Sequence, residues 1–513
     1  MRTRPGRARG YDVRVGTKAI VGNGRVARAA SAGLEPLTHR LGTGDFWFHP
    51  GHEKSALALK NRREAPVSAG PMAHVAAEVA ALPRCETVPT IDASELSAAE
   101  FAERFMRPNK PVLLTGVSNG WRCRSEWTRE DQPGERVPDI SRMADLFGDA
   151  KVLVVDCDAP LDTDLSRQEM PFREYARYWH ARRDDSRGKD GGGDARLLYC
   201  KDWTFAEDFP DYPAYETPPH FADDWLNEYW DEQRVKGVGR RLGSHRFVYV
   251  GGKGTDTPLH ADVLRSFSWS VNLAGRKRWL MVPPHRAHHL LDAKGERRPK
   301  DIERADVDRF PNAAKSAPVV VEQPGDSALF VPSLWYHQVR NETDCVSVNH
   351  NWLNAANARL SWAMLRDELE DVRAGLADPD DAGDGVLCQS LVERRAGADF
   401  KTFAGILASA ARRHGKRALA AATEREGAAA AAAAAGGGDR SGKRRRVDGG
   451  GASFDDEKSL RVAVDLLEEV LAADEAEDAS RIASAWEGSD DALEEARDAA
   501  KEGRETLERL GGK

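Results

Sequence analysis

Cysteine is scarce in this chain: six in 513 residues, at positions 85, 123, 157, 200, 345 and 388, with no CxxC or other short pair. That spacing excludes a disulfide scaffold and the common zinc and redox motifs. It reads as buried thiols in a reducing compartment. Long apolar runs are missing too. The nearest approach, the alanine run Ala428–Ala435, falls far short of the roughly 20 apolar residues that cross a bilayer. Nor is there an excess of one charge. Lys and Arg number 75 against 83 Asp and Glu, a net −8, too mild to mark the whole chain as a binder of nucleic acid or membrane. The length fits one large β-rich enzyme domain with appendages, or two to four smaller domains.

Charge is unevenly spread. Residues 1–40 carry nine Lys/Arg against two acids, Asp12 and Glu35. No apolar block follows, so a secretory signal is not expected. Residues 1–70 are expected to be a disordered basic leader, with an organelle transit peptide as the alternative. Order is expected from about Thr87. A short helix is predicted over Ser94–Arg107, with strands at Pro111–Thr115, Lys151–Val155 and Leu197–Tyr199; Phe221–Trp230 suits either a helix or a lid loop. From Arg246 the pattern is clearly β. Phe267–Leu273 alternates strictly, with Phe267, Trp269, Val271 and Leu273 on one face and Ser268, Ser270 and Asn272 on the other. Arg246–Val250, Lys277–Val282, Val319–Glu322, Ser327–Val331 and Cys345–Asn351 complete a series of short strands broken by Gly, Pro and Asn turns. The fold class expected is mainly β with helical additions, a closed barrel or double-sheet jelly roll.

After Asn354 the period becomes helical, most clearly over Ala355–Ala374. The domains expected are a main domain over 85–375 with its core at about 245–355, a helical extension over 376–421, a low-complexity linker over 422–452 and an acidic helical segment over 453–513. In that last segment Leu460, Val464, Leu467 and Leu471 recur at helical spacing, a stripe expected to pack on the protein's own helices.

One constellation carries chemistry. His260 and Asp262 stand two apart just before the alternating strand, so an extended backbone projects both to one side. His337 follows a strand and a Pro turn, 77 residues later. Two histidines and a carboxylate form the facial triad of non-haem iron oxygenases, which leaves coordination positions open. Taken alone, His-x-Asp also arises by chance, as a surface histidine and a turn residue. Lys277, beside Trp279 and Leu280 on a strand with a buried side, adds a cation able to pair with a dicarboxylate. The cluster His285, His288 and His289 has no strand carboxylate near it and reads as an exposed turn.

The run TPLHADVLRSFSWSVNLAGRKRWLMVPP (Thr257–Pro284), with Gln323–Asp326 and VPSLWYHQVRN (Val331–Asn341), resembles the JmjC oxygenases. Lys201–Trp203, Asp224–Glu228 and Asn349–Trp352 extend the likeness, which covers roughly residues 85–375. The resemblance implies a double-stranded β-helix (cupin-like jelly roll) with Fe(II) as cofactor and 2-oxoglutarate as co-substrate with O2. It makes His260, Asp262 and His337 the iron ligands, and Lys277 and Tyr199 the partners of the 2-oxoglutarate distal carboxylate. Asn349 stands where relatives often use a threonine, and Ser270 where some place an asparagine. It further implies a protein hydroxylase whose substrate is a lysine, at C4, of the translation termination release factor, working in the cytoplasm. No nucleic-acid or membrane partner is expected.

A lysine pocket should offer a carboxylate, for which Asp202, Asp223, Asp224 and Glu228 are candidates. The alternatives are an N-methyl-lysine demethylase acting on a histone or other nuclear protein, slightly favoured by the Lys443–Arg446 cluster as a nuclear signal, and a non-catalytic cupin-like scaffold. The intact His260, Asp262, His337 and Lys277 set argues against the scaffold.

Overall fold

The computed structural model describes residues 73–159, 167–185, 196–237, 244–376, 378–434, 455–475 and 490–511. The expected leader over 1–70 and the Lys443–Arg446 cluster lie outside the described residues. Seven strands come first: β1 (Thr90–Asp92), β2 (Val112–Thr115), β3 (Thr128–Gln132), β4 (Glu135–Pro138), β5 (Lys151–Asp156), β6 (Arg167–Pro171) and β7 (Leu198–Trp203). Eight follow: β8 (Arg246–Gly251), β9 (Asp256–His260), β10 (Phe267–Ala274), β11 (Lys277–Val282), β12 (Val319–Gln323), β13 (Ser327–Val331), β14 (Tyr336–Asn341) and β15 (Cys345–Trp352).

Those eight wind between two sheets. β9, β11, β12 and β14 form a four-stranded sheet in the order β12-β11-β14-β9. β8, β10, β13 and β15 sit inside a nine-stranded sheet ordered β1-β2-β13-β10-β15-β8-β7-β5-β6. Two four-stranded halves wound this way make a jelly roll, a double-stranded β-helix, and the earlier strands widen one half.

The alternation of β10 explains its place. Trp269 pairs with Phe330 on β13 and His350 on β15, and Phe267, Trp269, Val271 and Leu273 all enter the core between the large sheet and the N-terminal helices. There Phe221 stacks on Trp269 at 5.6 Å between ring centres. The opposite face does not meet bulk water. Ser270 and Asn272 are also buried, lining the interior between the sheets. Burying polar side chains is tolerable only where they are hydrogen-bonded, and Ser270 donates to Asn349 Oδ1 at 3.0 Å.

The helices depart from expectation in several places. The one predicted over Ser94–Arg107 begins at Ala98, because Ser97 and Glu100 form a capping box, and it widens into a π-turn over Ala102–Met106. Phe221–Trp230 is no lid: Asp224 caps a helix over Trp225–Val235. Several helices were not anticipated, Arg122–Trp127 and Ile140–Phe147 among them. Ala73–Ala81 is held at its start by Asp367, which accepts from the backbone N–H of His74 and Val75 at 2.9 and 2.8 Å. Phe172–Asp185 buries Phe172, Tyr175, Ala176 and Trp179, one stripe of a 3.6-residue period. Of the linker expected over 422–452, only residues up to 434 are described, and these are helical. A single helix spans Phe400–Ala434, since the high helix propensity of its many alanines outweighs Gly405, Gly415 and Gly427. Among the described residues, no helix is long and apolar enough to cross a membrane.

At the C-terminal end, helices Phe400–Ala434, Asp456–Glu475 and Asp490–Gly511 share one core. Leu460, Val464 and Leu467 are wholly buried there. Gly503 allows the last two helices to approach, as a Cβ there would come within 2.4 Å of Val464 Cγ2. All six cysteines are free.

Leu467 is 0% exposed, whereas Val235 is 90% exposed. Leu467→Ala is therefore expected to cost about 2–5 kcal/mol and Val235→Ala within about 0.5 kcal/mol, read from the midpoints of urea unfolding.

Candidate metal centre

His260 ends β9 and His337 lies on the neighbouring β14, and the two residues pair directly across the sheet. Their rings stand 4.2 Å apart between centres. The chain leaves β9 at Ala261, and Asp262 returns a carboxylate toward His260, Oδ1 to Nε2 at 3.9 Å. The donor atoms of the three residues all lie within 4.8 Å of one another.

The hydrogen bonds around this trio settle which atoms point inward. His260 Nδ1 lies 2.8 Å from the carbonyl of Pro258, and His337 Nδ1 lies 3.1 Å from the carbonyl of Trp335. A carbonyl only accepts, so each Nδ1 is the donor and each Nε2 is the nitrogen able to serve as a ligand. Ser268 Oγ donates to Asp262 Oδ2 at 2.7 Å, orienting the carboxylate. Burial, with the charge His337 would carry, pushes the His260 pKa down to about 3, so its imidazole is neutral at physiological pH. Two imidazoles and an oriented carboxylate converge as a divalent ion such as Fe(II) requires. The residues fit a metal.

A second His and carboxylate group, His74, Asp367 and Glu370, also comes close together. Its Asp367 already holds the start of helix Ala73–Ala81 through both oxygens. His285, His288 and His289 fall on a 3-10 turn over Pro284–Leu290, apart from the trio.

Lys277 opens β11 with its side chain inside the roll, 2% exposed. Its Nζ donates to Ser347 Oγ at 2.9 Å. Burial lowers its pKa to about 8. Directly across β14 lies Asn341, whose side chain donates to Thr255 Oγ1 at 2.8 Å and bonds to the Tyr199 hydroxyl. Tyr199 faces Gly251 on β8. That glycine is required, because a Cβ there would stand 2.5 Å from Asn341, Thr255 and Tyr199 alike. Ser270 and Asn349 meet each other across β10 and β15. Their polar atoms are thus partly spent on one another.

The candidate carboxylates separate. Asp223, Asp224 and Glu228 lie on the element that docks the C-terminal helices, and Asp202 lies against Tyr249 in the wall of the roll. Sequence reasoning missed Ser347, Asn341 and Tyr249. The signal existed for Ser347, which shares a strand face with Asn349 two residues on. Asn341 and Tyr249 required the strand pairing.

A family model described as "Cupin-like domain" matches residues 98–358. Arginine-specific demethylase JMJ20 of Arabidopsis thaliana is 38% identical over 325 residues, 61% of this chain and 68% of that protein. The 2-oxoglutarate and iron-dependent oxygenase JMJD4 of Homo sapiens is 34% identical over 314 residues, 60% of this chain and 72% of that protein. A bifunctional arginine demethylase and lysyl-hydroxylase, psr-1 of Caenorhabditis briggsae, is 27% identical over 293 residues, 55% and 65% of the two chains.

Asp262→Ala removes one of three converging donors and should weaken Fe(II) or Mn(II) binding by at least about 100-fold, read by calorimetry, with circular dichroism unchanged. Lys277→Ala should weaken 2-oxoglutarate binding while metal affinity stays at the wild-type value. In the wild type a carboxylate needs the ammonium form of Lys277. Affinity for 2-oxoglutarate should therefore be level below pH 8 and fall by about tenfold per pH unit above it. An affinity flat to pH 9.5 would remove Lys277 from that role.

Proposed function

The chain belongs to the cupin-like JmjC family and is a 2-oxoglutarate and iron-dependent oxygenase, and from that premise we propose that it hydroxylates a lysine side chain of the translation termination release factor at C4. The observation that carries the proposal is the convergence of His260, Asp262 and His337 beside a buried Lys277. Iron, 2-oxoglutarate and dioxygen supply the oxidising chemistry when bound, yielding succinate and CO2 as the lysine carbon gains a hydroxyl.

The chain's own residues bind, orient and exclude. His260, Asp262 and His337 hold the metal, with Pro258, Trp335 and Ser268 keeping their donor atoms aimed. Lys277 pairs its ammonium with the distal carboxylate of 2-oxoglutarate, a charge-assisted bond strengthened by burial. Tyr199, steadied by Asn341, offers that carboxylate a hydroxyl. Ser270 and Asn349 lie on the same inner wall and present polar atoms to the co-substrate. The apolar residues outside this wall keep bulk water from the site. No protein group needs to act as general acid or base. The enzyme would work in the cytoplasm, where its substrate works.

A second reading is N-methyl demethylation, favoured by the names of JMJ20 and psr-1. The same hydroxylation, placed on an N-methyl carbon, gives a hydroxymethylamine that loses formaldehyde.

The test is to combine purified protein with Fe(II), 2-oxoglutarate, air and the release factor, then locate any mass gain by fragmentation. The expected result is one added oxygen on a lysine with succinate formed in step. An unmodified release factor, with formaldehyde released from methylated histone peptides, would replace the first reading with the second.

A further inference from the structure

Both loops that carry metal ligands hold residues in a backbone region that does not suit them. Among the described residues, seven other than glycine have a left-handed φ. Asn109, Asp202 and Asp326 are of the types that tolerate it, and Asp202 sits in the bulge where the β7–β8 pairing slips. Ala317 closes a 3-10 turn. The others flank the metal centre. Leu264 and Arg265, at φ 54° and 47°, follow Asp262 within three residues, and Leu334, at 67°, precedes His337 by three. A leucine in this region drives its Cβ toward the next carbonyl oxygen, and glycine would make the same turn without that cost. Such a residue persists only where its surroundings hold it. The two leucine side chains must therefore gain what the backbone loses.

Both are committed to the C-terminal helices. Leu264 is 1% and Leu334 7% exposed, and both lie in the core those helices share. One helix, Ala358–Gly375, braces the two loops. It packs against the Val263–Arg265 turn, and Asn357 at its N-terminus donates to Ser333 Oγ at 3.2 Å. Asn109 grips the second loop from another side. Its Nδ2 donates to the Ser333 carbonyl at 2.9 Å, and its own carbonyl accepts from Trp335 Nε1 at 3.2 Å. The first loop closes on itself, with Arg265 N–H donating to the Asp262 carbonyl at 3.0 Å and Ser266 N–H to that of Val263 at 2.9 Å. Helix Gly385–Ala396 ends against it. A Cβ on its capping Gly397 would stand 3.2 Å from Val263 Cβ, so the helix end closes directly on the residue after Asp262.

We propose that the C-terminal helices act as a clamp on the metal centre, with Leu264 and Leu334 as positioning residues that keep Asp262 and His337 in reach of one ion. This rests on the assignment of His260, Asp262 and His337 as the ligands. Neither leucine is a ligand; each holds its loop in a turn that the helices sustain. By linkage, an ion that requires the docked loops must in turn stabilise the docking.

The test uses the full chain with Mn(II) in place of Fe(II), read by calorimetry, by the electron paramagnetic resonance of the bound ion and by amide hydrogen exchange. Leu264→Gly and Leu334→Gly relieve the backbone but remove the wedge. Each should weaken Mn(II) binding by about tenfold or more and alter the resonance. Leu264→Met keeps the apolar volume and should bind within about twofold of the wild type. Leu507→Ala is the control for general destabilisation: it empties a buried position on helix Asp490–Gly511, which packs on Phe400–Ala434 and Asp456–Glu475, and should leave Mn(II) affinity unchanged. Mn(II) should also slow exchange along Ala358–Gly375 in the wild type and not in Leu264→Gly.

The clamp is overturned if Leu264→Gly binds Mn(II) as tightly as the wild type, if Leu507→Ala weakens binding as much, or if Mn(II) leaves exchange along Ala358–Gly375 unchanged. Should Leu264→Gly fail to fold, Val263→Ala takes its place, since Val263 is only half-buried. It should bind Mn(II) more weakly, and wild-type affinity there would overturn the clamp. If Asp262→Ala binds Mn(II) like the wild type, the ligand assignment falls and the clamp with it. Loss in Asp262→Ala with full affinity in Leu264→Gly removes the clamp alone.

Discussion

Everything at the metal centre depends on the register between β9 and β14. His260 and His337 come from segments 77 residues apart, and they meet only because they are direct cross-strand partners. Side chains alternate with a period of two, so a slip of one residue would turn one imidazole out of the roll. The register is supported from the β14 side, since β9 is the edge strand. β14 is matched to β11 from Val282–Tyr336 through Lys277–Asn341, and β11 to β12 along its first five residues. The strand that sets His337 opposite His260 also sets Asn341 opposite Lys277, through its other edge on β11. Metal and co-substrate positions are thus linked through β14.

That arrangement requires a polar interior. Ser268, Ser270, Asn272, Ser347 and Lys277 face inward where most barrels of this size carry aliphatic side chains, and each polar atom left unmatched costs free energy. Several are matched to each other. Lys277 donates to Ser347, Ser270 to Asn349, and Ser268 to Asp262. The stabilising apolar burial lies outside the roll instead, in the aromatic layer around Phe101, Phe221, Phe330 and Trp352. Stability and chemistry are thus divided between the two faces of the large sheet.

Much of this was legible in the chain itself. The strict alternation of Phe267–Leu273 identified a strand with one apolar and one polar face, and the turn residues delimited the other barrel strands, because period and punctuation are local properties. His260, Asp262 and His337 could be nominated from spacing and resemblance, and the fold brings them together. Other features depend on pairs distant in sequence. Nothing near Asp223, Asp224 or Glu228 reveals that Arg413 and His414 will meet them, and the bulge that redirects Asp202 exists only in the pairing of β7 with β8. The length of helix Phe400–Ala434 was missed for a different reason. A low-complexity alanine run looks like a linker by composition, yet alanine is the residue most content in a helix.

The docking of the C-terminal helices has a consequence for cooperativity. Trp225 donates to His414 at 2.9 Å, Arg413 reaches Glu228, and Ser409 donates to Glu232 at 2.8 Å; Trp225 and Leu226 share the core of those helices. The element beside the catalytic roll has thus become shaped to its neighbour. A lineage that lost the helices would expose Trp225 and Leu226 to water and strand acids whose partners had gone. The roll and these helices are thus expected to unfold as one cooperative unit rather than as two.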